Sequence, residues 1–352
     1  MIRENIQSLV ECGSLSCQES RQSMEEIMSG QATNAQIASF LTALRMKGET
    51  VEELVSFAEV MREHCKRIHP NVRGRLVDTC GTGGDRLKTF NVRTTTAFVV
   101  AGADVAIAKH GNRSVTSKSG SADVLEQLGF NLGMDPEEIK RSIEKVGIGF
   151  MFAPIFHPAM KFAIAPRKEL GIRTVFNILG PLTNPACAAA HILGVYDAKL
   201  TAPLAETLSR LGCEEAMVVY GLDGLDEIST VGKTIISHLK DGKVATKEVS
   251  PQDFNVRKAN ANELEGGSPE QNAETLFRIL TGRCSENAKK ELVLVNSAAA
   301  LVVAGKAEDF KAGMEISKES ISNGDAYKKL EELIKTSGGD LSKLEELEQK
   351  HA

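Results

Sequence analysis

Apolar residues recur three and four positions apart from Ile2 to about His69: Ile6 with Leu9, Met24 with Ile27, Ile37 with Leu41, Leu54 with Phe57. This spacing puts each pair on one helical face and predicts four short helices with no strand among them. Pro70 and Gly74 close the segment. Beyond them, β-like runs (Leu76–Cys80, Val105–Ala108, Ile148–Phe152, His191–Tyr196, Ala216–Tyr220) alternate with helical ones (Ala122–Leu128, Pro136–Val146, Ala202–Leu211). Alternation of this kind predicts an α/β layer with a mostly parallel sheet. Asp241-Gly242, between Thr234–Leu239 and Lys243–Val249, reads as a hairpin turn and adds an antiparallel pair at one edge. Ser268 to Ile334 is helical, and Leu341–Lys350 reads as an acidic tail. The expected fold class is α/β, in three parts: a small helical N-terminal domain over 1–70, a larger α/β domain with a mostly parallel mixed sheet over 71–340, and a C-terminal tail over 341–352.

In open α/β sheets ligands collect at the carboxyl ends of strands, and three polar segments follow such ends. The first, DTCGTGGDRLKTFNVRT (residues 78 to 94), is a glycine-crowded turn leading into a helix expected to begin near Thr94. Bare backbone N–H groups at a helix start favour an anion. No lysine follows Gly83 or Gly84, so it is not a Walker A loop, and Arg86 stands where a dinucleotide fingerprint needs its third glycine. Asp85 closes the glycine run, which suits a metal-shielded phosphate, a sugar hydroxyl or an amine. The second segment, KHGNRSVTSKSGSAD (109 to 123), crowds cations, amides and hydroxyls together. It fits either a solvated loop whose Ser121 caps a helix or a polyanion site, and the neighbouring glycine loop favours the second. The third, GLDGLDEIS (221 to 229), carries Asp226-Glu227, hard oxygen ligands suited to Mg²⁺ or an ordinary acidic turn. Its place at a strand end favours the metal.

Other residues are less specific. Arg167, Lys168 and Arg173 lie on Lys161–Leu179, whose apolar positions suggest packed helices, and one of these arginines could pair with a substrate carboxylate. His110 reads as a positioning donor, its imidazolium disfavoured by Lys and Arg neighbours. The other histidines, His157 and His191 among them, lack ligand spacing and read as surface or satisfied residues. Cys80 has no evident base and reads as packing.

Composition narrows the class. Seven scattered cysteines without a C-x-x-C argue for reduced thiols. The start, MIRENIQSLVECG, lacks a signal peptide's apolar core, and no run approaches the roughly 20 apolar residues of a membrane span. A cytoplasmic protein is expected. A net charge of −5 with no basic run argues against a dedicated nucleic-acid binder.

The motifs CGTGGD, KHGNRxxxSxxGSADxLExLG and DGLDEIS together resemble the anthranilate phosphoribosyltransferase family. The likeness takes in Arg167–Ala186 (RKELGIRTVFNILGPLTNPA), Gly194–Leu200 (GVYDAKL) and Val295–Leu301 (VNSAAAL). The resemblance implies the fold class of nucleoside phosphorylases and phosphoribosyltransferases, with part of 165–190 completing the helical domain and a homodimer formed through it. It implies transfer of the phosphoribosyl group of phosphoribosyl pyrophosphate to the amine of anthranilate, with Mg²⁺ as cofactor.

Carried over by position, Gly81, Gly84, Asp85, Thr89, Asn91, Val92, Arg93 and Thr94 would contact the phosphoribosyl donor. Lys109, His110, Gly111, Asn112, Arg113, Thr116, Ser117 and Ser121 would complete that site. Lys109 and Asp85 would serve catalysis, Gly81, Asn112 and Arg167 would hold anthranilate, and Asp226 and Glu227 would bind magnesium. Thr116 keeps the hydroxyl of the family's usual serine. Arg93 departs from the pattern, because the family has a magnesium-ligating serine there. Its guanidinium is expected to pair with pyrophosphate and leave one metal on Asp226 and Glu227, or else to cripple the donor site. Two other functions compete: a pyrimidine-nucleoside phosphorylase, and a nucleic-acid-binding relative without transferase activity, to which Arg86 and Arg93 would add positive charge.

Overall fold

The computed structural model describes residues 1–84, 87–114, 119–284 and 287–351. Four helices open the chain: α1 (Ile2–Val10), α2 (Cys17–Met28), α3 (Asn34–Lys47) and α4 (Val51–Glu63). Reciprocal capping boxes start three of them, Ser16 with Glu19, Thr33 with Gln36 and Thr50 with Glu53, and each satisfies backbone N–H groups that a helix start leaves open. Their apolar faces meet around Phe40 and Phe57, whose rings pack edge to face at 5.9 Å. This core also takes in Ala163, Val175, Phe176, Ile178 and Leu179, together with Leu193, Val218 and Leu239 from the sheet. The helical segment is thereby seated on one face of the α/β body.

That body is a seven-stranded sheet of β1 (Val77–Asp78), β2 (Ile107–Gly111), β3 (Ile148–Phe152), β4 (Ala190–Gly194), β5 (Glu215–Gly221), β6 (Thr234–Lys240) and β7 (Lys243–Val249). The order is β3-β2-β1-β4-β5-β6-β7. The first five strands in that order are parallel, and β6 and β7 are antiparallel. The chain thus has a small helical domain followed by a larger α/β domain with a mostly parallel mixed sheet. The β6–β7 hairpin turns at Asp241 (φ 50°) and Gly242 (φ 70°), a positive-φ pair matching the right-handed twist of the strands it joins. β1 contributes only two paired residues where five were expected, because the chain leaves the ladder at Thr79 to form the glycine loop.

The segment expected as a tail folds as a helix, Ser342–Lys350. Leu344 is buried, the Tyr327 hydroxyl donates to Glu348 at 2.7 Å, and Lys350 and His351 pair with Glu274. The segment's charges lie beside an apolar face, Leu341, Leu344 and Leu347, that docks it on the core.

β1 lies between β2 and β4, so the order of connection reverses at β1 and β4. A reversal of this kind opens a crevice at the carboxyl ends of the two strands.

Candidate active site

The glycine loop spans that crevice. Gly83 (φ 67°) and Gly84 (φ 84°) hold left-handed conformations costly for other residues, and Thr82 N–H donates to Gly194 O at the end of β4 (2.9 Å). Arg173, on the connection after the helix Lys161–Leu170, donates from Nη2 to Gly84 O at 2.8 Å with its guanidinium 4.3 Å from the Tyr196 ring centre. It acts as a tether for the loop rather than as the carboxylate partner considered from sequence.

At the tip of β2, Lys109 and His110 are buried. Lys109 Nζ donates to Thr79 O (3.2 Å) and Thr79 Oγ1 (3.4 Å), and burial holds its pKa below the ordinary lysine range. Beneath it, Asp78 accepts from His110 N–H (3.3 Å) and Asn184 Nδ2 (2.6 Å). Burial pushes this carboxyl up to about 6 against the opposing pull of Lys109. His110 is held well below 6.5 by burial first and by His157 second, the two rings being 5.0 Å apart. Desolvation, more than the cationic neighbours invoked from sequence, is what disfavours the imidazolium. Cys80, half-buried beside them, is pushed up to about 12 by desolvation and remains a thiol. Farther along, Arg113 turns outward to Asp123 (3.0 Å) and Glu126 (2.8 Å).

The helix after the glycine loop, α5 (Val92–Gly102), begins two residues before the expected Thr94. Thr94 Oγ1 donates to Ser121 Oγ (3.1 Å), linking the first two polar segments. Asp226 and Glu227 follow β5 and are each 3% exposed. Behind them Asn296 clamps the turn: its Oδ1 accepts from Ile228 N–H (3.0 Å), and its Nδ2 donates to Ile228 O (3.1 Å) and Leu292 O (2.8 Å).

Between the acidic pair and the glycine loop lies Arg93. Its Nε donates to Glu227 Oε1 at 2.7 Å, and its Nη2 pairs with Asp226 Oδ2. Burial alone would favour the neutral form, but the two carboxylates outweigh it and hold the guanidinium charged above its usual range. These residues do not fit a magnesium ion held by the acidic pair. A dication about 4 Å from a guanidinium is repelled by roughly 8 kcal/mol at an effective dielectric of about 20. Among the described residues no group of three or more His, Cys, Asp or Glu is placed to hold a metal. Nor is Arg93 a surface charge available to nucleic acid.

One cavity of about 650 Å³ collects these parts. Gly81, Gly84, Thr89, Asn91 to Thr94, Lys109 to Arg113, Ser121, Arg167, Asp226 and Glu227 all line it. Asp85, Thr116, Ser117 and Arg86 lie outside the described residues. The cavity has two chemical halves, a polar one of glycine loop, lysine and acidic turn, and an apolar one of Met160, Ile164, Phe176 and Pro181 around Arg167. The Arg167 guanidinium lies 5.3 Å from the Phe176 ring centre, and burial lowers its pKa, with no carboxylate among the described residues opposing the shift. His157 also lines the cavity, with burial pushing its imidazole down to about 4. Its position just past β3, a fourth strand tip, was the available signal. Asn184 and Asn296 carried none, since their roles depend on partners 106 and 68 residues away.

Residues 3–65 match the helical bundle domain of the glycosyl transferase family, and residues 73–327 match its a/b domain. The anthranilate phosphoribosyltransferase of Acetivibrio thermocellus is 49% identical over 342 residues, covering 97% of this chain and 98% of the relative. The anthranilate phosphoribosyltransferase structure from Thermus thermophilus matches with a TM-score of 0.89 at 36% identity, over 95% of this chain and 99% of its own. The Saccharomyces cerevisiae enzyme in complex with PRPP and Mg matches with a TM-score of 0.88 at 29% identity, over 96% and 98%. With both domains matched and relatives aligned nearly end to end, the chain belongs to the anthranilate phosphoribosyltransferase family.

Proposed function

We infer that the protein transfers the phosphoribosyl group of phosphoribosyl pyrophosphate to the amine of anthranilate, giving N-(5-phosphoribosyl)anthranilate and pyrophosphate in tryptophan biosynthesis. The observation that carries this reading is the division of the cavity. The polar half offers glycine-loop N–H groups, Lys109 and hydroxyls to a sugar diphosphate. The apolar half, with a guanidinium that no carboxylate pairs among the described residues, suits an aromatic acid.

Anthranilate's arylamine is neutral at pH 7, so its lone pair needs no strong base. Nitrogen bonds to C1 of the ribose as the C1–O bond to pyrophosphate breaks, and the nitrogen's surplus proton passes to water. The chain's task is to orient the two substrates and meet the departing charge. Lys109, buried at the β2 tip, supplies positive charge beside the glycine loop, and Arg167 fixes the acceptor carboxylate. Asp85, Thr89, Asn91, Thr94, Asn112, Thr116, Ser117 and Ser121 are assigned to substrate contacts by the same reading. Mg²⁺ is the cofactor, as the yeast relative's complex with PRPP and Mg supports, and when bound to the diphosphate it shields the leaving charge.

A homodimer through the helical domain is part of the proposal, supported by Val10 of α1 and Met46 of α3, which are 64% and 83% exposed. Sedimentation tests it, and a monomer at micromolar concentration rejects it. Among the described residues no helix is long and apolar enough to cross a membrane, and we place the protein in the cytoplasm.

The decisive assay follows anthranilate fluorescence on mixing protein, phosphoribosyl pyrophosphate and Mg²⁺. Loss of signal that requires all three is expected. No loss, or consumption of thymidine and phosphate instead, refutes the assignment.

A further inference from the structure

Arg93 sits in the first turn of α5, where a cation opposes the positive end of the helix dipole. Its backbone carbonyl accepts from Thr79 Oγ1 at 3.1 Å, fixing the helix start against the β1 tip. Gly81 makes room for the side chain, since a Cβ there would overlap Arg93 Nη1; a Cβ on Gly194 would strike the Asp226 carbonyl first and come within 3.3 Å of Arg93 Cζ. The guanidinium therefore has two nitrogens on the acidic pair and a third beneath the glycine loop, in the cavity wall.

We propose that Arg93 is a built-in counter-ion: it occupies the Asp226–Glu227 pair in place of a protein-held magnesium ion and presents its Nη1 edge to the donor's diphosphate. This rests on the transferase reading for the identity of the diphosphate, but the claim about the acidic pair stands apart from it. The chemistry suits the exchange. A guanidinium offers five N–H donors in a planar fork, so two can hold carboxylates while another meets a phosphate oxygen. Unlike a metal, it needs no free ion in solution and does not dissociate. Magnesium bound by the diphosphate's own oxygens is untouched by this substitution, so the donor requires one protein-held ion fewer.

The test uses the full-length protein without substrates, titrated with Mn²⁺ and read by electron paramagnetic resonance. The wild type is expected to bind no ion at the acidic pair. Arg93→Ser is expected to gain one site about tenfold or more tighter than any in the wild type, lost again when Glu227→Gln is added, while Arg93→Lys gains none. Calorimetry with phosphoribosyl pyrophosphate in EDTA is the second readout: the wild type retains affinity and Arg93→Ser loses about tenfold or more, the worth of one charge-assisted bond. A wild-type Mn²⁺ site that Glu227→Gln abolishes would overturn the proposal, and it needs no Arg93 variant to fold. Because that titration contains no substrate, it decides the matter even if anthranilate is not consumed, an outcome that would sink only the transferase reading.

Discussion

Replacing Asn296 by leucine removes a side chain that holds both backbone groups of Ile228, directly behind Asp226 and Glu227. Leucine has similar volume and leaves little cavity, so the cost is almost wholly polar. The N–H and C=O of Ile228 lose their side-chain partner in a wholly buried environment, while Leu292 O keeps its own helix bond. Each orphaned group costs about 1–3 kcal/mol, giving about 2–6 kcal/mol in all. With an unfolding entropy of about 2.1 cal/mol/K per residue, a body of roughly 270 residues loses about 4–11 °C in Tm. The turn also shifts relative to Arg93, so the KM for phosphoribosyl pyrophosphate should rise several-fold while that for anthranilate stays within twofold. Calorimetric melting and steady-state kinetics check both parts. A variant that melts with the wild type and keeps its donor KM would refute the view that Asn296 positions the acidic turn.

Arg167→Ala should raise the KM for anthranilate by about 10- to 100-fold, the loss of a charge-assisted pair, with donor affinity in calorimetry unchanged. Gly81→Ala should abolish donor binding and lower the melting temperature, because the new methyl collides with the tip of Arg93 and with the backbone oxygen of Gly194 at the end of β4; wild-type calorimetric affinity would contradict it. Burial depresses His191 from 6.5 to about 4, so stability from keeping it neutral is fully present above pH 6.5 and is lost as pH falls through about 4. The loss approaches about 3 kcal/mol. His191→Gln, which keeps a donor for Ala188 O, should flatten the fall of Tm between pH 6.5 and 4, and an unchanged slope would count against it.

Local pattern carried a large part of this protein. Three- and four-residue spacing predicted the helices around Phe40 and Phe57 because those residues pack on neighbours a turn or a loop away. The Asp241-Gly242 turn was legible because two positive φ angles demand those residue types. Gly81, Gly84, Lys109, Asp226 and Glu227 were found because strand tips in a parallel sheet share one edge, so polar loops after strands must converge there. Boundaries were less legible. β1 is short and α5 starts early because the glycine loop bonds across to β4, a contact 112 residues away in the chain.

By itself, then, the sequence determined the fold class, the convergence of three loops and the types of groups they carry, since periodicity and turn chemistry act over a few residues. Tertiary structure alone decided the pairings. Arg93 lies 134 residues from Glu227, Asn184 reaches back to Asp78, and His157 stands against His110. An ion pair is a matter of a few ångströms between side chains, and no local rule in the chain fixes which distant charge will fill a given place.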